Sequence, residues 1–135
     1  MIHMAAKKTK LNKKTWIYAI ISSGEIKYIG CSHNVEQRFD SHRKNIIAKK
    51  HKVKDLNTVS IDNVEFKIMC EFDTDNSFAT MMCESCMNSI YKPKNRIIWQ
   101  AGRNIVSFAR IPKDLAEAIL ELVVKYYNGK RYDIS

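Results

Sequence analysis

The chain predicts a mixed α/β fold of the α+β kind. It should hold a three-stranded, mainly antiparallel sheet flanked by helices, with a β-β-α-β-α core and a C-terminal strand-helix extension. Three observations lead there. Apolar and β-branched runs at 16–21 and 26–30 flank Ser22-Ser23-Gly24-Glu25, the pattern of a hairpin. Residues 64–72 alternate apolar with polar, the two-residue period of a strand. Elsewhere apolar residues recur at helical spacing.

Taken in order, residues 1–14 carry Lys7, Lys8, Lys10, Lys13 and Lys14 with little to bury, and read as a flexible basic arm. After the hairpin, Asn34 followed by Gln37 has the form of a capping box. It opens a first helix in which Val35, Phe39, Ile46 and Ile47 share a face as far as about Lys50. Residues 51–63 are polar and irregular. In the strand that follows, Val64, Phe66, Ile68, Cys70 and Phe72 form one set and Glu65, Lys67, Met69 and Glu71 the other. Asp75 or Ser77 caps a second helix ending near Tyr91, before Pro93. Ile105–Ile111 reads as a further strand, Pro112 as the first residue of a third helix, and Gly129 as its stop. The organisation is an arm (1–14), a core (15–99) and an extension (100–135).

Lys and Arg number 23 against 14 Asp and Glu, a formal charge of +9. That balance points to a polyanionic partner, nucleic acid ahead of an acidic membrane surface. No run approaches the roughly 18 apolar residues of a membrane span. The basic N-terminus lacks the apolar stretch of a secretory signal. The expected location is therefore cytoplasmic. Cys31, Cys70, Cys83 and Cys86 are too few and too scattered for a disulfide framework. Cys83-x-x-Cys86 with Cys70 could suggest zinc, but the pair falls on the apolar arc of its helix and no second pair completes the ligands, so buried free thiols are expected. His33 reads as a loop residue without partners.

The residues that carry chemistry come in a fixed order. Trp16-Ile17-Tyr18 and Tyr28-Ile29-Gly30 stand on the two hairpin arms. Arg38 and His42, four apart, project from one helix face. Glu84 follows in the second helix, with Pro93 nine residues later and then Lys94-Asn95. Over about residues 16–96 the chain resembles the GIY-YIG nuclease family, with Trp16 where the signature has its first glycine. The resemblance implies a metal-dependent DNA endonuclease of phage, mobile-element or restriction type. It implies that Glu84 holds one Mg²⁺ or Mn²⁺ ion and that Arg38 donates to the phosphate. Tyr18 is the candidate general base, or positions the water, and Tyr28 orients water or phosphate. His42 takes the tyrosine proton or holds the hydroxyl, and Gly30 allows close approach of the backbone.

Geometry adds expectations of its own. Phe78, Ala79, Met82, Cys83, Cys86 and Ile90 cluster on one arc of the second helix, with Glu84 and Asn88 opposite, so the carboxylate should point away from the core. Tyr18 and Tyr28 share a sheet face only if parity is kept, which calls for a three-residue loop, Ser23-Gly24-Glu25. A two-residue turn should put them on opposite faces. Lys44, Lys49, Lys50, His51, Lys52 and Lys54 could track a DNA backbone on one side of the cut, and Lys92, Lys94, Asn95 and Arg96 on the other.

The segment from Asn104 to Ile119 is similar to the strand and first helix of ribbon-helix-helix DNA-binding proteins, without the second helix. Leu115, Ala116, Ile119, Leu120, Leu122, Val123, Val124, Tyr126 and Tyr127 cover more than half the circumference of the last helix. That breadth predicts two packing partners, the core and a second subunit, hence a homodimer. The competing function is a DNA-binding or regulatory module that does not cut. The presence of Tyr18, Tyr28, Arg38, His42 and Glu84 together favours the enzyme. An RNA-binding protein is a poorer fit, for want of an aromatic stacking platform.

Overall fold

A computed structural model of the chain describes residues 14–73, 76–93, 111–132 and 134. The arm before Lys14, the strand expected over 105–110, and Lys94, Asn95 and Arg96 lie outside these. The elements are β1 (Thr15–Ser22), β2 (Glu25–Ser32), α1 (Val35–Ile47), β3 (Val64–Phe72), α2 (Ser77–Tyr91), α3 (Lys113–Tyr126) and β4 (Lys130–Arg131). Two 3₁₀ turns, Lys54–Asn57 and Ile61–Asn63, join α1 to β3. The sheet runs β2-β1-β3-β4 with antiparallel pairing throughout. The short β4 adds a fourth strand to the three expected.

Two apolar clusters fill the two faces of the sheet. Tyr18, Ile20 and Tyr28 pack with Val35 and Ile46 of α1 and with Val53 and Leu56 of the connecting loop. Ile17, Ala19, Ile21 and Ile29 pack on the other face against Ala79, Cys83, Cys86 and Met87 of α2, with Ala116, Leu120 and Val123 of α3 behind them. The molecule is thus a helix-sheet-helix sandwich whose central strand β1 is buried along nearly its whole length.

The hairpin turn is the two-residue Ser23-Gly24, with Ser22 opposite Glu25. Both turn residues have positive φ (55° and 73°), the requirement of the tight turn whose twist matches its strands. The three-residue loop is therefore corrected. The tyrosines nevertheless share a face, because a β-bulge intervenes: Ile21 pairs with Ile26 but Ile20 pairs with Tyr28, leaving Lys27 as the extra residue. Beyond the bulge Tyr18 stands opposite Gly30, two residues from Tyr28 and on the same side. Lys27 is buried and held by ion pairs to Glu25 at 3.0 Å and Asp55 at 3.6 Å.

A second bulge corrects the single-faced reading of β3. Tyr18 pairs with Ile68 but Ile17 pairs with Cys70, so Met69 is the extra residue. Val64, Phe66 and Ile68 face α1, whereas Met69, Cys70 and Phe72 face α2. The strand crosses from one core to the other at its midpoint. The Met69 carbonyl accepts the Tyr132 amide at 2.8 Å, next to the short β4 pairing.

The helix ends also differ in detail. Asn34 caps α1 by accepting the Gln37 amide at 3.2 Å, but the helix stops at Ile47, and Lys49 turns the chain with φ 59°. Asn76, not Asp75 or Ser77, caps α2, accepting the amides of Phe78 and Ala79. Pro112 is the N-cap of α3 rather than its first turn. After α3, Asn128 takes the left-handed conformation, so Gly129 is needed for space instead. A Cβ there would sit 2.8 Å from the fully buried Phe72 ring and 3.2 Å from the Glu71 carbonyl oxygen. On α3, Leu115, Leu122 and Tyr126 are exposed, and the expected homodimer rests on that exposure alone. Gly129→Ala should therefore lower stability by about 1–3 kcal/mol, read as a reduced midpoint in chemical denaturation with the far-ultraviolet dichroism of the native state unchanged.

Candidate active site

The site is built at the β2 edge of the sheet. Tyr18 is fully buried, and its ring lies across the strand pair onto Gly30. A Cβ at residue 30 would come within 2.8 Å of both the Tyr18 hydroxyl oxygen and the Tyr28 ring. Glycine is needed here because a side chain would collide with both tyrosines. Tyr28 packs beside Tyr18 with ring centroids 6.1 Å apart. Phe39 meets the Tyr18 ring edge-on at 5.2 Å. Trp16 is half-buried on the same face, opposite Ser32.

Helix α1 lays Arg38 and His42, one turn apart, over this pair. The His42 Nε2 is 2.6 Å from the Tyr18 hydroxyl, and the Arg38 Nε donates to the same oxygen at 3.4 Å. Arg38 also interacts with the Tyr28 hydroxyl, and its side chain is exposed on the solvent side. Arg38, Ser41, His42, Asn45, Lys50, His51 and Lys52 line a surface cavity of about 210 Å³.

One residue of the site stands in the sequence among the lysines of a basic cluster. His51 is buried, with its Nε2 2.8 Å from His42 Nδ1. Its backbone is clamped by Asn57, whose side chain accepts the His51 amide at 2.8 Å and donates to the His51 carbonyl at 2.9 Å. The Val53 amide donates to His51 Nδ1 at 3.0 Å. A backbone amide can only donate, so His51 Nδ1 carries no proton. Neutral His51 then bears its proton on Nε2 and donates to His42 Nδ1. Neutral His42 in turn bears its proton on Nε2 and donates to Tyr18. Of the two expected roles for His42, this geometry fits the holding of the hydroxyl, since a nitrogen that donates cannot accept the tyrosine proton.

The electrostatics agree with neutral histidines. Burial, with His51, Arg38 and Lys52 adding to it, pushes the His42 acid down to about 3. Burial and then Lys52 push His51 down as well. Burial raises the Tyr18 phenol above its ordinary value, so the resting hydroxyl keeps its proton, with Tyr28 reinforcing the shift and Arg38 opposing it.

Glu84 lies elsewhere than the helix periodicity suggests. It is only 8% exposed, on the other face of the sheet, where α2 is wedged between the strands and α3. Ser85, Asn88 and Ser89 are buried with it, so the side of α2 opposite the cysteines is covered too. Asn88 donates to the Glu84 carbonyl at 2.9 Å. The carboxylate meets the Cys31 thiol of β2. Burial pushes the Glu84 acid up to about 7, against the pull of Cys31 and Lys52. Burial and the Glu84 charge push the Cys31 thiol up to about 12. The structure thus brings Tyr18, Tyr28, Gly30, Arg38 and His42 into contact, while Glu84 meets the same strand from behind at Cys31 and Asn88 bonds within its own helix.

Lys44 pairs with Asp40 at 3.3 Å and, like Lys49, Lys50, Lys52 and Lys54, is exposed. Cys70, Cys83 and Cys86 are buried free thiols. His33 has a partner after all: its Nδ1 is 2.8 Å from the Thr15 hydroxyl, tying the end of β2 to the start of β1. Among the described residues no three His, Cys, Asp or Glu side chains gather as a metal cage, and no helix is long and apolar enough to cross a membrane. A magnesium site needs no such cage, since one or two carboxylates with substrate phosphate suffice. A desolvated carboxylate whose charge gains from a cation fits that pattern, so Glu84 is suited to the ion.

The chain matches the model of the GIY-YIG catalytic domain over residues 14–97. It belongs to that family, and its activity is that of a nuclease, a hydrolase of phosphodiester bonds. No curated protein and no solved structure matched the chain.

The pH dependence of stability should carry the mark of the histidine pair. His42 has a folded pKa below its unfolded value near 6.5, so the unfolded chain binds more protons between about 3 and 6.5. The contribution is full above 6.5 and is lost as pH falls toward 3. The urea midpoint should fall between pH 7.5 and pH 4.5, and His42→Gln should reduce the drop.

Proposed function

We propose that the protein is a metal-dependent DNA endonuclease whose scissile phosphate enters the cavity beside Arg38. The observation that carries this reading is the convergence of the Tyr18, Tyr28, Arg38 and His42 side chains at one sheet edge, beneath an exposed row of lysines. The +9 charge supports a polyanionic substrate, and the lysines of the α1–β3 loop suit contacts to successive phosphates. Such contacts hold DNA without reading its sequence.

In this reading Arg38 donates to the non-bridging oxygens of the phosphate, with its planar fork held by the two tyrosine hydroxyls. Tyr28 orients the attacking water. His42 and Arg38 both donate to the Tyr18 oxygen and stabilise its phenolate, whose proton is lost to a solvent water before attack. The phenolate then accepts a proton from the water as it attacks phosphorus and the leaving oxygen departs. Glu84 would hold a Mg²⁺ or Mn²⁺ ion, which when bound neutralises charge on the phosphate and the leaving oxygen.

Incubation of plasmid with Mg²⁺ tests the reading. The chain should nick or linearise DNA, chelation should stop it, and Glu84→Gln and Arg38→Ala should each slow it on the order of 10²–10³-fold. Equal cutting by all three proteins would mean a contaminant, and binding without cutting would favour a regulatory module.

The role of Tyr18 has its own test. Because burial raises its acid, the ionised fraction grows about tenfold per pH unit through the neutral and mildly alkaline range. The single-turnover rate should rise with pH in the same proportion, and Tyr18→Phe should be slow with that dependence gone. A slope that survives in Tyr18→Phe assigns the proton transfer to another group.

A further inference from the structure

We propose that Lys52 is a catalytic residue, its ammonium contacting the scissile phosphate beside Arg38, and not one more lysine that tracks the DNA backbone. The inference rests on the reading of this groove as the site of phosphodiester cleavage, and three observations carry it. Lys52 lies between His51 and Val53, both buried, and the amides of His51 and Val53 are each tied by a hydrogen bond. Its Cα is therefore fixed, although its side chain is exposed. The Nζ sits 4.9 Å from the centroid of the Tyr28 ring, a contact that holds the cation at the mouth of the site. Lys52 lines the cavity that Arg38 and His42 also line.

Lys50 lines the same cavity, but the ring contact on Tyr28 belongs to Lys52, and the other cations nearby lack this placement. Lys44 is engaged with Asp40 on the outer face of α1, and Lys27 is buried between Glu25 and Asp55. Arg43 lies over Phe66, away from the β2 edge. A second cation beside Arg38 would add charge stabilisation as negative charge gathers on the phosphate oxygens during attack, an effect realised chiefly in the transition state.

The test separates chemistry from affinity. Cleavage of a labelled duplex in Mg²⁺ is followed in single turnover at saturating protein, and the dissociation constant is measured separately in Ca²⁺. Lys52→Ala should slow the saturated rate about 10²-fold with affinity changed by less than about tenfold, as for a loss of transition-state contacts. Lys52→Arg, which keeps the charge and can keep the ring contact, should recover most of the rate. A Lys52→Ala defect that disappears at higher protein concentration overturns the proposal, as does a wild-type rate. Equal cutting by wild type and Glu84→Gln overturns the reading of the site itself, and the role of Lys52 with it.

Discussion

The Val53 amide can donate and do nothing else, and the protonation of the site descends from that fact. It denies a proton to one nitrogen of His51, which sets the other as a donor to His42, which becomes a donor to Tyr18. The chain holds only while both histidines are neutral, and burial keeps them so. What places the amide is apolar packing: Val53 and Leu56 sink into the same cluster as the Tyr18 ring. Hydrophobic burial of a loop thereby sets a tautomer two side chains away.

The two halves of the site relate differently to water and charge. On the α1 face the hydroxyls and imidazoles are enclosed, and cations, Arg38 and Lys52, stand at the opening. On the α2 face a single carboxylate is enclosed, with a thiol beside it. An enclosed carboxylate is costly to ionise, and its acid rises to about 7 in consequence. The edge strand β2 is the partition, and its Gly30 and Cys31 present opposite faces to the two halves.

Much of this was legible in the sequence. The order of Tyr18, Tyr28, Gly30, Arg38 and His42 follows from spacing along a hairpin and one helix turn, and the structure brings these residues together. His51 was not legible, because a histidine in a lysine-rich polar stretch looks like part of a basic surface. The available signal was its apolar neighbours, Val53 and Leu56, which mark a loop that folds back onto the core. The burial of Glu84 was hidden for another reason. Helical periodicity assumes one buried side, and α2 is covered on more than one. The bulges at Lys27 and Met69 were hidden because alternation along one strand carries no record of an extra residue facing its partner.

The Lys27 bulge has a consequence for how much length variation the hairpin can absorb. The turn sets where pairing begins, and the bulge sets which face each later residue occupies. Loss of Lys27 would straighten the strand and leave Ile21 opposite Ile26 and Ile20 opposite Tyr28, so both tyrosines would stay where they are. The same deletion in the turn would shift the pairing. Indels are therefore tolerated at one point of the hairpin and not at another, and the residue count between the two tyrosines is a looser identifier of this nuclease fold than their shared face.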